Sequence, residues 1–299
     1  MLDYRLLEAL ALVVREQGFE KAAETMHLTQ SAVSQRIKQL EEQAGQVLVR
    51  RTSPPEPTRA GREMLRHYNQ VKLLENDLQT TVGLGRDSGP VSLPVAVNAD
   101  SLDTWFLDAV GPFMRREKVV LDLRVDDQEQ TQRMLRDGEV VGCVSVEPRP
   151  MQGCRALHLG GMRYRLLASP EFMAEWFPEG LDEKHAEKAP LLTYNRKDNL
   201  QVNLLRQAIG VYPEKAPIFY LPSTDGFTRA ILSGLGYGSV PDQHSAPHLA
   251  SGAMVDAAPG CNVDVQLYWH SWNIRSDILE RFSADLTDNA AKYLEGQIP

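Results

Sequence analysis

Four side chains at helical spacing, Ser31, Ser34, Gln35 and Lys38, carry hydroxyl, amide and ammonium groups along one stripe, with Arg36 at its margin. Short hydroxyl and amide groups on a helix reach base edges in the major groove, while lysine and arginine reach phosphates, so the stripe suits duplex DNA. A helix face that only meets water is more often a mixture of glutamate and lysine. Thr29 stands where an N-cap is needed, and Gln30 opens the first turn. Further on, Arg50 and Arg51 close a short β-prone run, 45–51, followed by Thr52-Ser53-Pro54-Pro55-Glu56-Pro57. Strand, proline-rich tip and return make a wing, which sets two guanidinium groups beside a DNA backbone.

A second set of polar residues suits a small molecule. Asn98 and Ser101 follow the apolar run 91–97 at a helix N-terminus, where free N–H groups and the macrodipole favour a carboxylate. Asp126 and Asp127 follow the run 119–125, Ser145 lies near the end of 140–146, and Ser223, Thr224 and Asp225 open a later helix. Hydroxyls for a carboxylate and carboxylates for an ammonium together match an amino acid with a basic side chain. Serine, threonine and aspartate are also the ordinary N-caps, so residue type alone does not separate the two roles.

The elements that position the first set are legible from periodicity. Leu6, Leu7, Leu10, Val13 and Val14 give one helix ending at Gln17-Gly18; 20–26 is a short helix with Ala22, Ala23 and Met26 available to pack. Val33, Ile37, Leu40 and Ala44 form the apolar face of a third helix, behind the polar stripe. Helix, short helix, tight turn and helix in this order spell a helix-turn-helix. Thr58 caps a fourth, long helix in which Met64, Tyr68, Val71, Leu78 and Val82 recur three to four apart around Glu75, a seam that wants a partner. Gly83-Leu84-Gly85-Arg86-Asp87-Ser88-Gly89-Pro90 then reads as a hinge.

Beyond it, strands at 91–97, 119–125 and 140–146 alternate with helices at 102–116 and 128–136, the pattern of an α/β sheet with crossovers. The pattern restarts at 164–168, 190–194 and 217–220 and closes with a strand at 263–269 and a helix at 277–294. Gly234-Leu235-Gly236-Tyr237-Gly238 follows a helix and leads into a strand, the reverse of the order a phosphate loop requires.

A chain of 299 residues accommodates a small module and a larger one. The N-terminus lacks the apolar core of a signal peptide, and no run is long enough to span a membrane, so a cytoplasmic protein without membrane contact is expected. Cys143, Cys154 and Cys261 form no CxxC pair and fit free thiols in a reducing compartment; no cofactor or metal is implied. GxSxG and HExxH are both missing, so catalysis is not expected. Net charge decides little: the total is −8, yet residues up to Arg62 hold nine basic against eight acidic groups.

Phe19, Ala22-Ala23, Thr29-Gln30-Ser31-Ala32-Val33-Ser34, Ile37, Leu40-Glu41, Gly45, Leu48, Arg50-Arg51 and Thr58-x-Ala60-Gly61 resemble the signature of LysR-type transcriptional regulators. Val49 departs from it, since the family usually has phenylalanine nearby. The resemblance implies an α/β protein: an N-terminal winged helix-turn-helix (1–58), a dimerising linker helix and hinge (59–90), and a two-lobed, periplasmic-binding-protein-like effector domain (91–299). Lobe I would be 91–162 with 266–299, and lobe II 163–265, with crossovers near Met162 and Val265 and the effector in the cleft between them. It further implies that Gln30, Ser31, Ser34, Gln35, Arg36 and Lys38 face the major groove of double-stranded operator DNA, that Arg50 and Arg51 act at the wing, and that the protein is a homodimer or homotetramer.

Val97-Asn98-Ala99-Asp100-Ser101-Leu102, Gly138-Glu139-Val140-Val141-Gly142 and Leu267-Tyr268-Trp269-His270 are similar to the ArgP/LysG-type subgroup, associated with activating export of arginine and lysine. That implies lysine or arginine as effector, with Asp127 taking the cationic side chain and Ser101 the α-carboxylate. A LysR-type regulator answering to another metabolite and a DNA-architectural protein are the alternatives.

Overall fold

The computed structural model describes residues 2–83, 90–126 and 128–294. Helix α1 (Tyr4–Arg15) starts where the Asp3 carboxylate accepts from Arg5 N at 2.9 Å, and it buries Leu6, Leu7, Leu10 and Val13. Alanines 22 and 23 let α2 (Phe19–Thr25) approach closely. Thr29 Oγ1 accepts from Ala32 N at 3.2 Å to start α3 (Gln30–Ala44), and Gly45 ends it in the left-handed conformation at φ 67°. Val33, Ile37 and Leu40 complete a core shared by all three helices.

The wing is a two-residue pair, β1 (Val49–Arg50) antiparallel to β2 (Glu56–Pro57), shorter than the expected run 45–51. Glu41 Oε1 accepts from Leu48 N at 2.8 Å and Val49 N at 3.3 Å, and Pro54, Pro55 and Pro57 on the return have no N–H with which to extend the ladder. Thr58 caps α4 (Arg59–Thr81), a 23-residue helix about 35 Å long. Its start crosses the wing so closely that a Cβ on Gly61 would lie 2.1 Å from Leu48 O.

Of the expected seam on α4, Met64 and Tyr68 turn into the helix-turn-helix core and Val71 is half-buried. Leu78 and Val82 are exposed at 61% and 53%, and Leu74 joins them at 40%, leaving an apolar stripe uncovered. The opposite side of α4 packs on its own chain: Leu73 enters the core of the C-terminal domain, and Ile278 N donates to Asp77 Oδ1 at 3.3 Å. Residues 84–89 of the expected hinge lie outside the described residues.

The C-terminal domain opens with β3 (Val91–Val97), α5 (Ala99–Ser101), a π turn at Leu102–Phe106, α6 (Leu107–Glu117), β4 (Val119–Val125), α7 (Gln128–Asp137) and β5 (Gly142–Ser145). After β6 (Cys154–Ala168) come α8 (Pro170–Trp176), α9 (Glu183–Ala186), β7 (Leu191–Thr193), α10 (Leu200–Ile209), β8 (Ile218–Tyr220), α11 (Thr224–Leu232) and β9 (Gly238–Pro241). The chain closes through α12 (Asp242–Ser251), β10 (Val255–Asp256), β11 (Asn262–Trp272) and α13 (Asp277–Ala290).

The main sheet runs β10-β6-β11-β5-β3-β4, with β9 also on β6. Parallel pairs β3·β4 and β3·β5 come from the helical crossovers, as the alternation of the sequence requires. Strands β6 and β11 are long and antiparallel and run through both lobes, with Met162 paired to Val265 at the crossing. Trp105, Phe113, Trp269 and Phe282 fill the core of lobe I; Phe172, Phe177 and Tyr237 that of lobe II. The Gly234–Gly238 turn serves packing, since a Cβ on Gly238 would lie 2.7 Å from the Phe227 ring.

Candidate DNA interface and effector cleft

On α3 the apolar face is consumed by the core, so the polar stripe is left outward. Thr29, Gln30, Ser31, Gln35 and Lys38 are exposed, as are Arg50 and Arg51 on the wing. Ser34 and Arg36 are half-buried. Arg36 lines a groove between the helix-turn-helix and lobe I, at the edge of the stripe. Lys38 Nζ lies 3.7 Å from Glu42, a pair open to solvent that phosphate would readily displace. Arg51 rests over the Phe19 ring at 5.7 Å, which fixes its stem while leaving its donors outward.

A cleft of ≈ 1050 Å³ opens between the lobes where β6 and β11 cross. This is the upper range for a small-molecule site and ample for an amino acid. Lobe I contributes Asn98, Asp100 and Asp126; lobe II contributes Asp198, Thr224 and Thr228; Tyr164 and Gln266 come from the crossing strands. Asp100 ties the two lobes together. Tyr164 Oη donates to its Oδ2 at 2.7 Å and Thr224 Oγ1 to its Oδ1 at 3.2 Å, so one carboxylate of lobe I holds the first helix turn of lobe II. Burial raises the Asp100 carboxyl above its ordinary value, against the hydrogen bonds that favour its charge.

The opposite wall is braced. Asp198 accepts from Tyr194 N at 3.2 Å and Leu200 N at 2.9 Å, and Gln201 exchanges two bonds with Ser239, at 2.6 and 2.9 Å. Two buried polar atoms on the wall, Asn98 Oδ1 and Thr228 Oγ1, have no hydrogen-bond partner among the described residues. Buried polar atoms are nearly always paired, and these two are the unpaired ones among the cleft-lining residues described.

The chain matches two family models: "Bacterial regulatory helix-turn-helix protein, lysR family" over residues 4–62 and "LysR substrate binding domain" over 88–291. It is 46% identical to the transcriptional regulator ArgP of Pseudomonas aeruginosa across 98% of both chains. The crystal structure of ArgP from Mycobacterium tuberculosis superposes with a TM-score of 0.85 at 41% identity, covering 99% of this chain and 100% of that one. Full-length LysG from Corynebacterium glutamicum with bound effector arginine gives a TM-score of 0.77 at 31% identity, again over 99% and 100%.

This chain belongs to the LysR family. As a LysR-type regulator it joins a DNA-binding helix-turn-helix to a domain that takes a small-molecule effector. Among the described residues no helix is long and apolar enough to cross a membrane, and no group of three or more His, Cys, Asp or Glu could hold a metal ion.

Of the eight effector residues read from the sequence, the cleft brings together Asn98, Asp126 and Thr224. Asp127 lies outside the described residues. Ser101 is fully buried inside lobe I with its Oγ 3.9 Å from Met162 Sδ; one helical step back, Asp100 takes the position facing the cleft. Ser145 is turned inward as well, accepting from Gln132 Nε2 at 2.8 Å and Glu147 N at 3.1 Å. Ser223 caps α11 by accepting from Gly226 N, and Asp225 pairs with Arg229 on the exposed face of that helix at 3.0 Å. Sequence reasoning missed Asp100, Tyr164, Asp198, Gln201 and Thr228. Only Asp100 had a usable signal, its place between Asn98 and Ser101 directly after a strand; the others have no local pattern that sets them apart.

Proposed function

We propose that this LysR-type regulator binds operator DNA through α3 and the wing and answers to arginine or lysine in the interlobe cleft, controlling export of basic amino acids. The observation that carries the effector reading is Asp100, a carboxylate at the cleft floor between the lobes, with Asp126 and Asp198 around it. A guanidinium or ammonium group would sit against Asp100, and the α-carboxylate would meet Arg196 on lobe II. The bound arginine of the LysG relative supports this choice of ligand. Ser101 is not given a ligand contact in this arrangement.

For DNA, the exposed Thr29, Gln30, Ser31, Gln35 and Lys38 and the half-buried Ser34 and Arg36 form the reading face, with Arg50 and Arg51 on the backbone. The uncovered stripe of Leu74, Leu78 and Val82 on α4 suits a second copy of the chain, pairing two reading helices on a two-fold operator. The domains run 1–58, 59–90 and 91–299, with lobe II at 163–265. Calorimetric titration of the purified protein with arginine and lysine tests the effector: saturable heat with either is expected. No heat with either, alongside a signal from another amino acid, would remove this effector and leave the fold and family untouched.

A further inference from the structure

The run Gly138-Glu139-Val140-Val141-Gly142, singled out by sequence resemblance, has no place in the cleft or the DNA face. Its corner touches the linker helix instead. Gly138, at φ 81°, lies so close to α4 that a Cβ there would stand 2.5 Å from Arg66 Cα and 2.8 Å from Arg66 N. Those are backbone atoms, which cannot step aside as a side-chain tip can. Asn69 Nδ2 donates to Gly138 O at 2.7 Å, and Arg62 Nε lies 3.4 Å from Asp137 Oδ2. Arg62 also donates to Pro57 O at 3.0 Å, so the same side chain reaches the wing strand β2.

The other end of this contact is the cleft. The ten-residue α7 leads from just beyond Asp126, on the cleft wall, to Asp137 at the corner, about 15 Å away. It is fastened to β5 through Thr131 Oγ1 to Val144 O at 3.2 Å and Gln132 Nε2 to Ser145 Oγ at 2.8 Å; Val146, the next residue, lines the cleft. A short helix so tied moves with the cleft wall, because packed interiors transmit displacement with little absorption.

We propose that the Asp137–Gly138 corner is the contact through which the cleft sets the angle of α4, and with it the DNA-binding module, within one chain. Closure of the lobes on a ligand shifts α7, and the glycine contact with Asn69 and Arg66 passes the shift to the linker helix. The proposal rests on the reading of the cleft as the effector site. Gly138 and Asn69 are positioning residues in it, and neither touches ligand or DNA.

The test uses the full chain, a DNA fragment selected for binding by the wild type, and arginine. For Asn69→Leu, which keeps the size of the side chain and removes the donor, the dissociation constant for arginine without DNA stays within about twofold of wild type. The ratio of DNA affinities with and without saturating arginine shrinks at least fivefold, and by reciprocity so does the effect of DNA on arginine binding. Gly138→Ala gives the same loss of coupling if it folds by circular dichroism; Asn69→Leu decides the matter if it does not. Wild-type coupling in a folded Asn69→Leu that binds arginine normally overturns the proposal. Should the wild type give no arginine heat, the effector reading fails by itself. The corner is then judged on ligand-free chains, where Asn69→Leu must change DNA affinity at least threefold, and an unchanged affinity overturns it.

Discussion

The polar stripe of α3 and the cleft between the lobes are built in opposite ways. The polar stripe of α3 comes from ten consecutive residues, 29–38, on one helix whose other face is buried as Val33, Ile37 and Leu40. The cleft floor is assembled across the chain: Asp100 meets Tyr164, 64 positions away, and Thr224, 124 positions away. A site on one helix depends on local periodicity and the core behind it. A site between lobes depends on how β6 and β11 cross, and its strength as a recognition site comes from burial that no local pattern encodes. Damage should therefore separate cleanly between the two.

The largest separation is expected from Ile37→Ala. Removing a buried side chain behind the stripe should cost about 2–5 kcal/mol of helix-turn-helix stability and abolish DNA binding near physiological temperature. Arginine titration should be unchanged within twofold; an equal loss of arginine binding would show that the two regions are not separable.

Asp100→Asn works from the other side. Losing the charge that faces a cationic ligand should weaken arginine binding by about 30-fold, about 2 kcal/mol, with ligand-free DNA affinity unchanged. A wild-type dissociation constant in that variant would move the cation pole elsewhere in the cleft. Next in size, Gln35→Ala on the exposed stripe should cost about 1–3 kcal/mol of discrimination at one base pair, measured against a panel of single-base operator variants. Uniform weakening at every base would place Gln35 on phosphate.

Acidity provides a comparable effect without mutation. Burial raises Asp100 in the folded chain above its ordinary 3.8, so protonation favours the folded state. This group's contribution to stability is fully present below the ordinary value and is lost as pH rises through the raised one. A cationic effector needs the ionised form, so arginine affinity should fall toward about tenfold per pH unit once pH drops below the raised value. Arginine binding within that window should release a proton, seen as buffer-dependent heat that Asp100→Asn removes. Lys38→Ala is the smallest change. The exposed Lys38–Glu42 pair is worth about 0–1 kcal/mol to stability, whereas the salt dependence of DNA binding should lose about one unit of slope. An unaltered slope would take Lys38 off the phosphate backbone.

The α/β class, the helix-turn-helix order, the cap at Thr29 and the strands at 91–97 and 119–125 were all determined by local sequence, since periodicity, caps and β-prone runs act over a few residues. So was the outward polar stripe of α3, because a helix with one apolar face exposes the other by necessity. Tertiary structure alone decided the rest. It tied the wing to α3, because Glu41 accepts from Leu48 N and Val49 N, seven and eight residues further along the chain. It placed Asp100 in the cleft and Ser101 in the core, although the two are neighbours in a run of N-cap residues, since the crossing at Met162 and Val265 fixes which side of a helix turn faces open space. And it docked α4 on Gly138, a contact whose physical basis, the missing Cβ against a backbone 72 positions earlier, exists only once the two segments meet.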